Sequence, residues 1–392
     1  MYYNDFQGMK LSALGFGTMR LPQLADGTVD ESQLAQMTAY AIEHGVNYFD
    51  TAYPYHSGQS EVAIGKALSA YDRDFWYLAT KFPGHQISAS YDPAPVFENQ
   101  LRKCGVDYFD FYLLHNVNEA SVSTYLDPKW KIIDYFKEQK RLGRIRYLGF
   151  SSHANTDSLK QFLDIAGADM EFCQIQLNYM DWTLQDAKGK VALLNERNIP
   201  IWVMEPVRGG KLCSLSDTDA TRLKALRPEE GIPAWGFRFL QDIPGVTVTL
   251  SGMSNMQQME ENIATFASPE PLTAAEKEIL LDIAEGLKDS VPCTACRYCV
   301  EECPQELDIP TLISFYNDLR ITPNPVTSLR LESFPQEKQP SACLGCGKCA
   351  KMCPQSIKIP DVLKSLTALL ETIPKWADVS REREEAAKKW NG

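Results

Sequence analysis

The chain has 392 residues, of which 44% are hydrophobic and 23% charged, a balance that excludes disordered, collagen-like and fibrous classes. Its 39 Lys and Arg against 51 Asp and Glu leave a net charge of −12, so a nucleic-acid phosphate backbone is not an expected partner. No apolar run approaches the ~18 residues of a spanning helix, and the amino-terminal MYYNDFQGMK lacks the basic and apolar regions of a secretory signal, which makes the cytoplasm the expected compartment and a membrane an unexpected partner.

Eight short β-rich runs follow in order: LGFGTM (14–19), VNYFDT (46–51), FWYLATKF (75–82), FDFYLLH (109–115), RYLGFSS (146–152), FCQIQL (172–177), PIWVME (200–205) and GVTVTL (245–250). Most are nearly continuous apolar stretches, the pattern of parallel strands covered on one face and packed on the other. Between them lie segments with helical spacing: Glu31–His44, Ser60–Ala70, Pro95–Cys104, Lys129–Leu142, Thr156–Ala166, Ala187–Asn198 and Met256–Phe266, with Ile232–Leu240 and Ala274–Leu287 as extra helices. In the first of these Leu34, Met37, Thr38, Ala41 and Ile42 share a face, and Gly45 stops the helix. Strand–helix alternation repeated eight times predicts a (β/α)8 TIM barrel. The alternative, an open doubly wound sheet, is less favoured because no G-x-G-x-x-G follows any strand; GFGTMRLP offers a lone G-x-G.

In such a barrel chemistry belongs at the carboxyl ends of the strands. Asp50 ends the second strand, Tyr55 follows in the next loop, Lys81 ends the third strand and His115 the fourth. Each alone has an ordinary explanation: a capping Asp, a solvated Lys, a hydrogen-bonded core His. Their coincidence on three successive strands is the informative part. The segments FDTAYPYHSGQSE (49–61), LATKF (78–82) and YLLH (112–115), with LGFSSH (148–153), QIQLNY (174–179) and SGMSNMQQMEENIA (251–264), resemble the signature segments of the aldo-keto reductases over roughly residues 10–285.

The resemblance implies a barrel that binds a nicotinamide cofactor, NAD(P)H, and reduces a small-molecule carbonyl. It assigns Tyr55 as general acid, Lys81 and Asp50 as its supporting pair, and His115 as the substrate-orienting residue. The chemistry agrees. Hydride addition builds charge on the carbonyl oxygen, a phenol of pKa ~10 donates poorly near neutrality, and a nearby ammonium corrects that. On the cofactor side the resemblance points to Asp50, Ser151, Ser152 and Gln174, and to Gly252, Ser254, Gln258 and Asn262 around the helix start that suits a phosphate. The chain departs from the family in two places. Met204 and Glu205 stand where an aromatic residue commonly stacks, and no basic residue lies between Ser251 and Asn262. NADH and NADPH are therefore both open, with Arg208 or Lys211 as compensating cations. Tyr53, Trp76, Phe82, His85 and Trp130 are candidates for an aromatic pocket.

Eight of the 11 cysteines fall between Cys293 and Cys353. Cys104, Cys173 and Cys213 are scattered and read as small buried apolar side chains. In a reducing compartment local clustering means metal, not disulfides. Cys293-x2-Cys296-x2-Cys299-x3-Cys303-Pro304 is repeated as Cys343-x2-Cys346-x2-Cys349-x3-Cys353-Pro354. Both match the run that holds [4Fe–4S] clusters, in which the fourth cysteine serves the other cluster. The expected sets are Cys293, Cys296, Cys299 and Cys353, and Cys343, Cys346, Cys349 and Cys303. Zinc is the alternative, although its sites more often pair two C-x2-C knuckles. With Pro310–Arg320 and Pro360–Glu371 read as helices, the tail resembles the small, mostly α-helical ferredoxin-like domains appended to anaerobic redox enzymes. The expected division is a barrel over 1–287, a two-cluster domain over 288–375 and a charged tail over 376–392.

Hydride carries two electrons and a cluster moves one, so a flavin is a further candidate cofactor and a ferredoxin or other redox partner is implied. Three readings follow. The preferred one is a nicotinamide-dependent carbonyl reductase whose clusters are structural or serve such a partner. The second is a ferredoxin-linked protein fed through its clusters without productive NAD(P)H chemistry. The third is a non-catalytic binding or redox-sensing module, against which the intact tetrad argues.

Overall fold

A computed structural model describes the chain except residues 85–91, 120, 214, 288–290, 292, 294–297, 322, 324, 354–356 and 392, and the side chains of Lys211, Ile321, Arg383 and 386–391. Two compact units are present: Met1–Leu280 together with the stretch from Arg383, and Leu281–Glu382. Among the described residues no helix is long and apolar enough to cross a membrane.

In the first unit eight parallel strands close a barrel: Leu14–Gly17, Tyr48–Asp50, Tyr77–Phe82, Phe109–Val117, Ile145–Ser152, Cys173–Gln176, Ile201–Met204 and Val246–Ser251, the last pairing with the first. Closure excludes the doubly wound sheet. Register decides where the tetrad points. Asp50 lies beside Ala79 across the second and third strands, and Ala79 belongs to the packed barrel interior. Lys81, two residues on, shares that face because side chains alternate along a strand. Asp50 and Lys81 are thus directed inward at the end where the strands finish.

Every helix that the spacing placed in the barrel is present, and Asp217–Leu226 is one that it did not place. Glu31–Glu43 is capped by Asp30, whose side chain accepts from the Gln33 N–H, and Pro93–Cys104 runs from the Asp92 cap to Gly105, which adopts the left-handed conformation that ends a helix. The sequence reading passed over an amino-terminal hairpin, Tyr3–Phe6 paired antiparallel with Met9–Ser12. Its turn, Gln7-Gly8, has φ of 50° and 85°, as a tight hairpin turn requires. Phe6 closes the amino-terminal end of the barrel, its ring edge-on to Trp202 and Tyr147 at 5.0 Å each.

The second unit is helical and built as a repeat. Tyr298–Glu301 and Lys348–Met352 are short helices within the two cysteine runs, and Ile309–Ile321 and Ile359–Glu371 are the long helices that follow them. Equivalent helices pack against each other around a core of Leu307, Ile309, Leu312, Ile357, Ile359 and Leu363. Helix Pro325–Glu332 lies in the link between the two runs. The terminal charged stretch belongs to helix Trp376–Asn391.

Candidate functional site

Lys81 is fully buried and Asp50 is 3% exposed. The Lys81 Nζ donates to Asp50 Oδ1 at 2.6 Å, to the Thr51 carbonyl at 2.7 Å and to Tyr55 Oη at 3.4 Å. Burial opposes the charge on Lys81, but the Asp50 carboxylate and the Tyr55 hydroxyl together outweigh it and the pKa rises. Burial also pushes the Asp50 carboxyl up, and the Lys81 ammonium pulls against that. Tyr55 and His115 are half-buried, with their rings edge-on at 6.0 Å. The structure therefore brings all four tetrad residues to one place. The loop that carries Tyr55 is wound tightly: His56, Ser57 and Gly58 all have positive φ, and the His56 Nε2 accepts from the Leu21 N–H at 3.1 Å.

Beneath the tetrad lies a polar layer that the sequence reading assigned no role. Glu61 is fully buried. Its carboxylate accepts from Thr80 Oγ1 and Gln100 Nε2 at 2.7 Å each and from Lys103 Nζ at 2.9 Å. Gln100 also donates to the Lys81 carbonyl at 3.0 Å. On the other side, Thr18 Oγ1 donates to the Asp50 carbonyl at 2.9 Å. The backbones of both ion-pair partners are held from below. Glu61 closes the quoted motif FDTAYPYHSGQSE, which was the available signal.

On the cofactor side, Ser151 Oγ accepts from the Asn116 N–H at 2.8 Å and Ser152 Oγ donates to the Val117 carbonyl at 2.9 Å, so both tie down the end of the fourth strand. Gln174 Nε2 faces the Met204 sulfur at 3.7 Å, and its buried Oε1 has no hydrogen-bond partner among the described residues. Around the helix Met256–Thr265, Gln258 Oε1 accepts from the Ser254 N–H, Asn255 Oδ1 accepts from the Gln258 N–H, and Asn262 donates to Ser251 Oγ. Gln258 thus completes a helix cap. Arg208 does not serve as the compensating cation. It is 2% exposed and its Nε lies 3.1 Å from Asp181 Oδ2, a carboxylate that also accepts from Gln176 and Asn178. The Lys211 side chain lies outside the described residues.

Arg20, which sequence reasoning overlooked, occupies that ground instead. Its carbonyl accepts from Ser254 Oγ at 2.8 Å. Its stem rests over Gly252, where a Cβ would come within 3.2 Å, and its Nη2 would lie 2.7 Å from a Cβ at Gly209. The side chain is exposed and has no ion-pair partner among the described residues.

The aromatic candidates separate. Trp76 precedes the third strand and packs under Arg73 at 4.0 Å, at the opposite end of the barrel from the tetrad. Phe82 is fully buried against Phe136. Tyr53 and Trp130 are half-buried, and His85 lies outside the described residues.

In the second unit Cys303, Cys343, Cys346 and Cys349 line one cavity with Leu307, Ile309 and Leu363. Burial raises the Cys349 thiol pKa, and its three cysteine neighbours raise it further. Such a group of thiolates needs a shared counter-charge, which an iron–sulfur cluster supplies. The Leu307 N–H points at Cys303 Sγ at 3.5 Å, an outer contact of the kind that tunes such groups. Among the described residues no tight cluster of three His, Cys, Asp or Glu for a single ion is present; the four cysteines surround a space. Of the other set, Cys299 is buried in the core and Cys293 and Cys353 pack against it, while Cys296 lies outside the described residues. Cys104 and Cys173 are buried and Cys213 is half-buried.

Residues 13–285 match the aldo/keto reductase family and residues 292–357 match a 4Fe-4S dicluster domain. The Glycine max protein named "Probable aldo-keto reductase 1" is 29% identical over 212 residues, covering 52% of this chain and 58% of its own length. The "NADH-specific methylglyoxal reductase" of Escherichia coli K12 is 23% identical over 323 residues, covering 71% and 96%. The holo form of a Bacillus halodurans aldo-keto reductase matches with a TM-score of 0.58 at 26% identity, over 72% of this chain and 96% of its own. A Klebsiella pneumoniae aldo/keto reductase in complex with NADP and acetate shares the fold, with a TM-score of 0.57 at 20% identity over 71% and 93%. Barrel, tail and relatives together place the chain: it belongs to the aldo/keto reductase family, as an oxidoreductase with a 4Fe-4S dicluster domain following its barrel.

Proposed function

We propose that this protein reduces a small carbonyl substrate with NADH or NADPH, and that two [4Fe–4S] clusters in its tail connect that chemistry to a one-electron redox partner. The observation that carries the first part is the dry Lys81 ammonium, set between Asp50 at 2.6 Å and the Tyr55 hydroxyl at 3.4 Å. As hydride reaches the carbonyl carbon, charge grows on its oxygen. Tyr55 gives that oxygen its proton, and the Lys81 ammonium stabilises the phenolate left behind. Asp50 keeps Lys81 charged and fixed, and His115 donates a hydrogen bond to the same oxygen.

A nicotinamide dinucleotide supplies the hydride when bound. The residues present fit it. The buried Gln174 Oε1, without a hydrogen-bond partner among the described residues, suits a carboxamide, and Arg20 over Gly252 suits the diphosphate. Cys303, Cys343, Cys346 and Cys349 would hold one cluster and Cys293, Cys296, Cys299 and Cys353 the other. The clusters supply one-electron transfer, and a flavin is the natural converter between one and two electrons. One feature favours the second reading, in which the barrel is fed through the clusters without nicotinamide chemistry: both Gln258 and Arg208 are engaged internally.

Tyr55→Phe tests the proposal. Carbonyl reduction should fall by about 10²–10⁴-fold, with iron content and circular dichroism unchanged. Turnover within a few-fold of the parent would refute the assignment. If the parent reduces carbonyls with chemically reduced ferredoxin but never with NADH or NADPH, the second reading holds.

A further inference from the structure

The two cysteine runs repeat at a spacing of 50 residues but carry opposite charge. Segment 293–308 has Arg297 against Glu301, Glu302, Glu306 and Asp308; segment 343–358 has Lys348, Lys351 and Lys358 and no acidic residue. At two equivalent positions the charge inverts outright: Glu301 corresponds to Lys351, and Asp308 to Lys358. On a chain of net charge −12, this is a local basic island.

The island is at the surface. Lys348, Lys351 and Lys358 are exposed, and none has an ion-pair partner among the described residues. Lys348 and Lys351 stand three residues apart on the helix Lys348–Met352, so they share a face. Two apolar side chains lie beside them in sequence without cover, Leu344 at 63% and Met352 at 47% exposure. Leu344 and the exposed Cys346 also form the rim of the cavity shared by Cys303, Cys343 and Cys349. An apolar contact edged by unpaired cations, at the lip of a redox site, is the arrangement that recruits an anionic protein. Charge sets the encounter rate and the apolar contact excludes water.

We propose that the surface around Leu344, Lys348, Lys351 and Met352 is the docking face for an acidic one-electron carrier protein. The proposal rests on the cluster reading of the tail. One electron passes from the reduced carrier, which is oxidised by one, to the group held by Cys303, Cys343, Cys346 and Cys349, which is reduced by one; no bond is made or broken.

The test uses the full chain, purified anaerobically, with iron counted and dithionite-reduced spectra recorded first. The probe is a small acidic [2Fe–2S] ferredoxin, reduced beforehand and mixed by stopped flow. In the parent, electron transfer should slow steeply between low and high salt. The double variant Lys348→Glu/Lys351→Glu should be at least about tenfold slower at low salt and lose most of the salt dependence. Lys188→Glu/Lys224→Glu makes the same charge change on the barrel and should keep the parent rate. Equal rates in parent and Lys348→Glu/Lys351→Glu, or no transfer to clusters that dithionite does reduce, would overturn the docking face alone. Absence of iron and sulfide from the parent would instead overturn the cluster reading beneath it.

Discussion

Arg208 gives its charge to Asp181 inside the barrel, and Arg20 keeps its charge at the surface. The difference follows from surroundings. Asp181 is fully buried and needs a cation with it, whereas Arg20 lies along two glycines, Gly209 and Gly252, that leave its guanidinium room, and it has no counter-ion among the described residues. A diphosphate meeting Arg20 would gain charge-assisted hydrogen bonds. Arg20→Ala should therefore weaken NADH and NADPH binding alike, by about tenfold or more, as read from fluorescence or calorimetric titration. Loss confined to NADPH would move the contact to the 2′-phosphate. No pattern in the sequence marks Arg20: its role depends on loops more than 180 residues away coming over it, and chain order carries no sign of that.

The tetrad was legible because its residues are tied to strand ends, and strand ends can be read from apolar runs. The strands Tyr77–Phe82 and Phe109–Val117 end within two residues of where LATKF and YLLH place Lys81 and His115. The hairpin Tyr3–Phe6/Met9–Ser12 was not legible, since four-residue strands of mixed polarity give no periodicity to count. Nor was the layer under the tetrad. Glu61 on helix Gln59–Leu68 and Lys103 on helix Pro93–Cys104 look like ordinary surface charges in sequence, yet they pair at 2.9 Å with side-chain exposures of 0% and 8%. That pair joins the two helices, so breaking it has a large cost. Lys103→Ala leaves Glu61 charged and buried without its cation and should destabilise the barrel by about 3–5 kcal/mol. The urea midpoint of the barrel's tryptophan signal measures this, and a change under about 1 kcal/mol would show that the pair is relieved by water.

For the whole molecule, the crossed ligand sets proposed for the tail make a countable statement. Cys303 closes the first run but lines the cavity of the second. Two clusters amount to about eight iron and eight sulfide per chain. Cys303→Ser should damage the cluster held by Cys343, Cys346 and Cys349, bringing iron down towards about four, and Cys353→Ser should do the same to its counterpart. Iron analysis with electron paramagnetic resonance of the reduced protein checks both variants, with Cys104→Ser as the unaffected control. Retention of about eight iron in Cys303→Ser would show that each run serves its own cluster.

The hairpin seats Phe6 in a barrel interior already filled by Tyr48, Phe111, Phe172 and Trp202, so the barrel is a packed plug and not a passage. A ligand at Tyr55 and His115 therefore comes and goes on the side where the strands end.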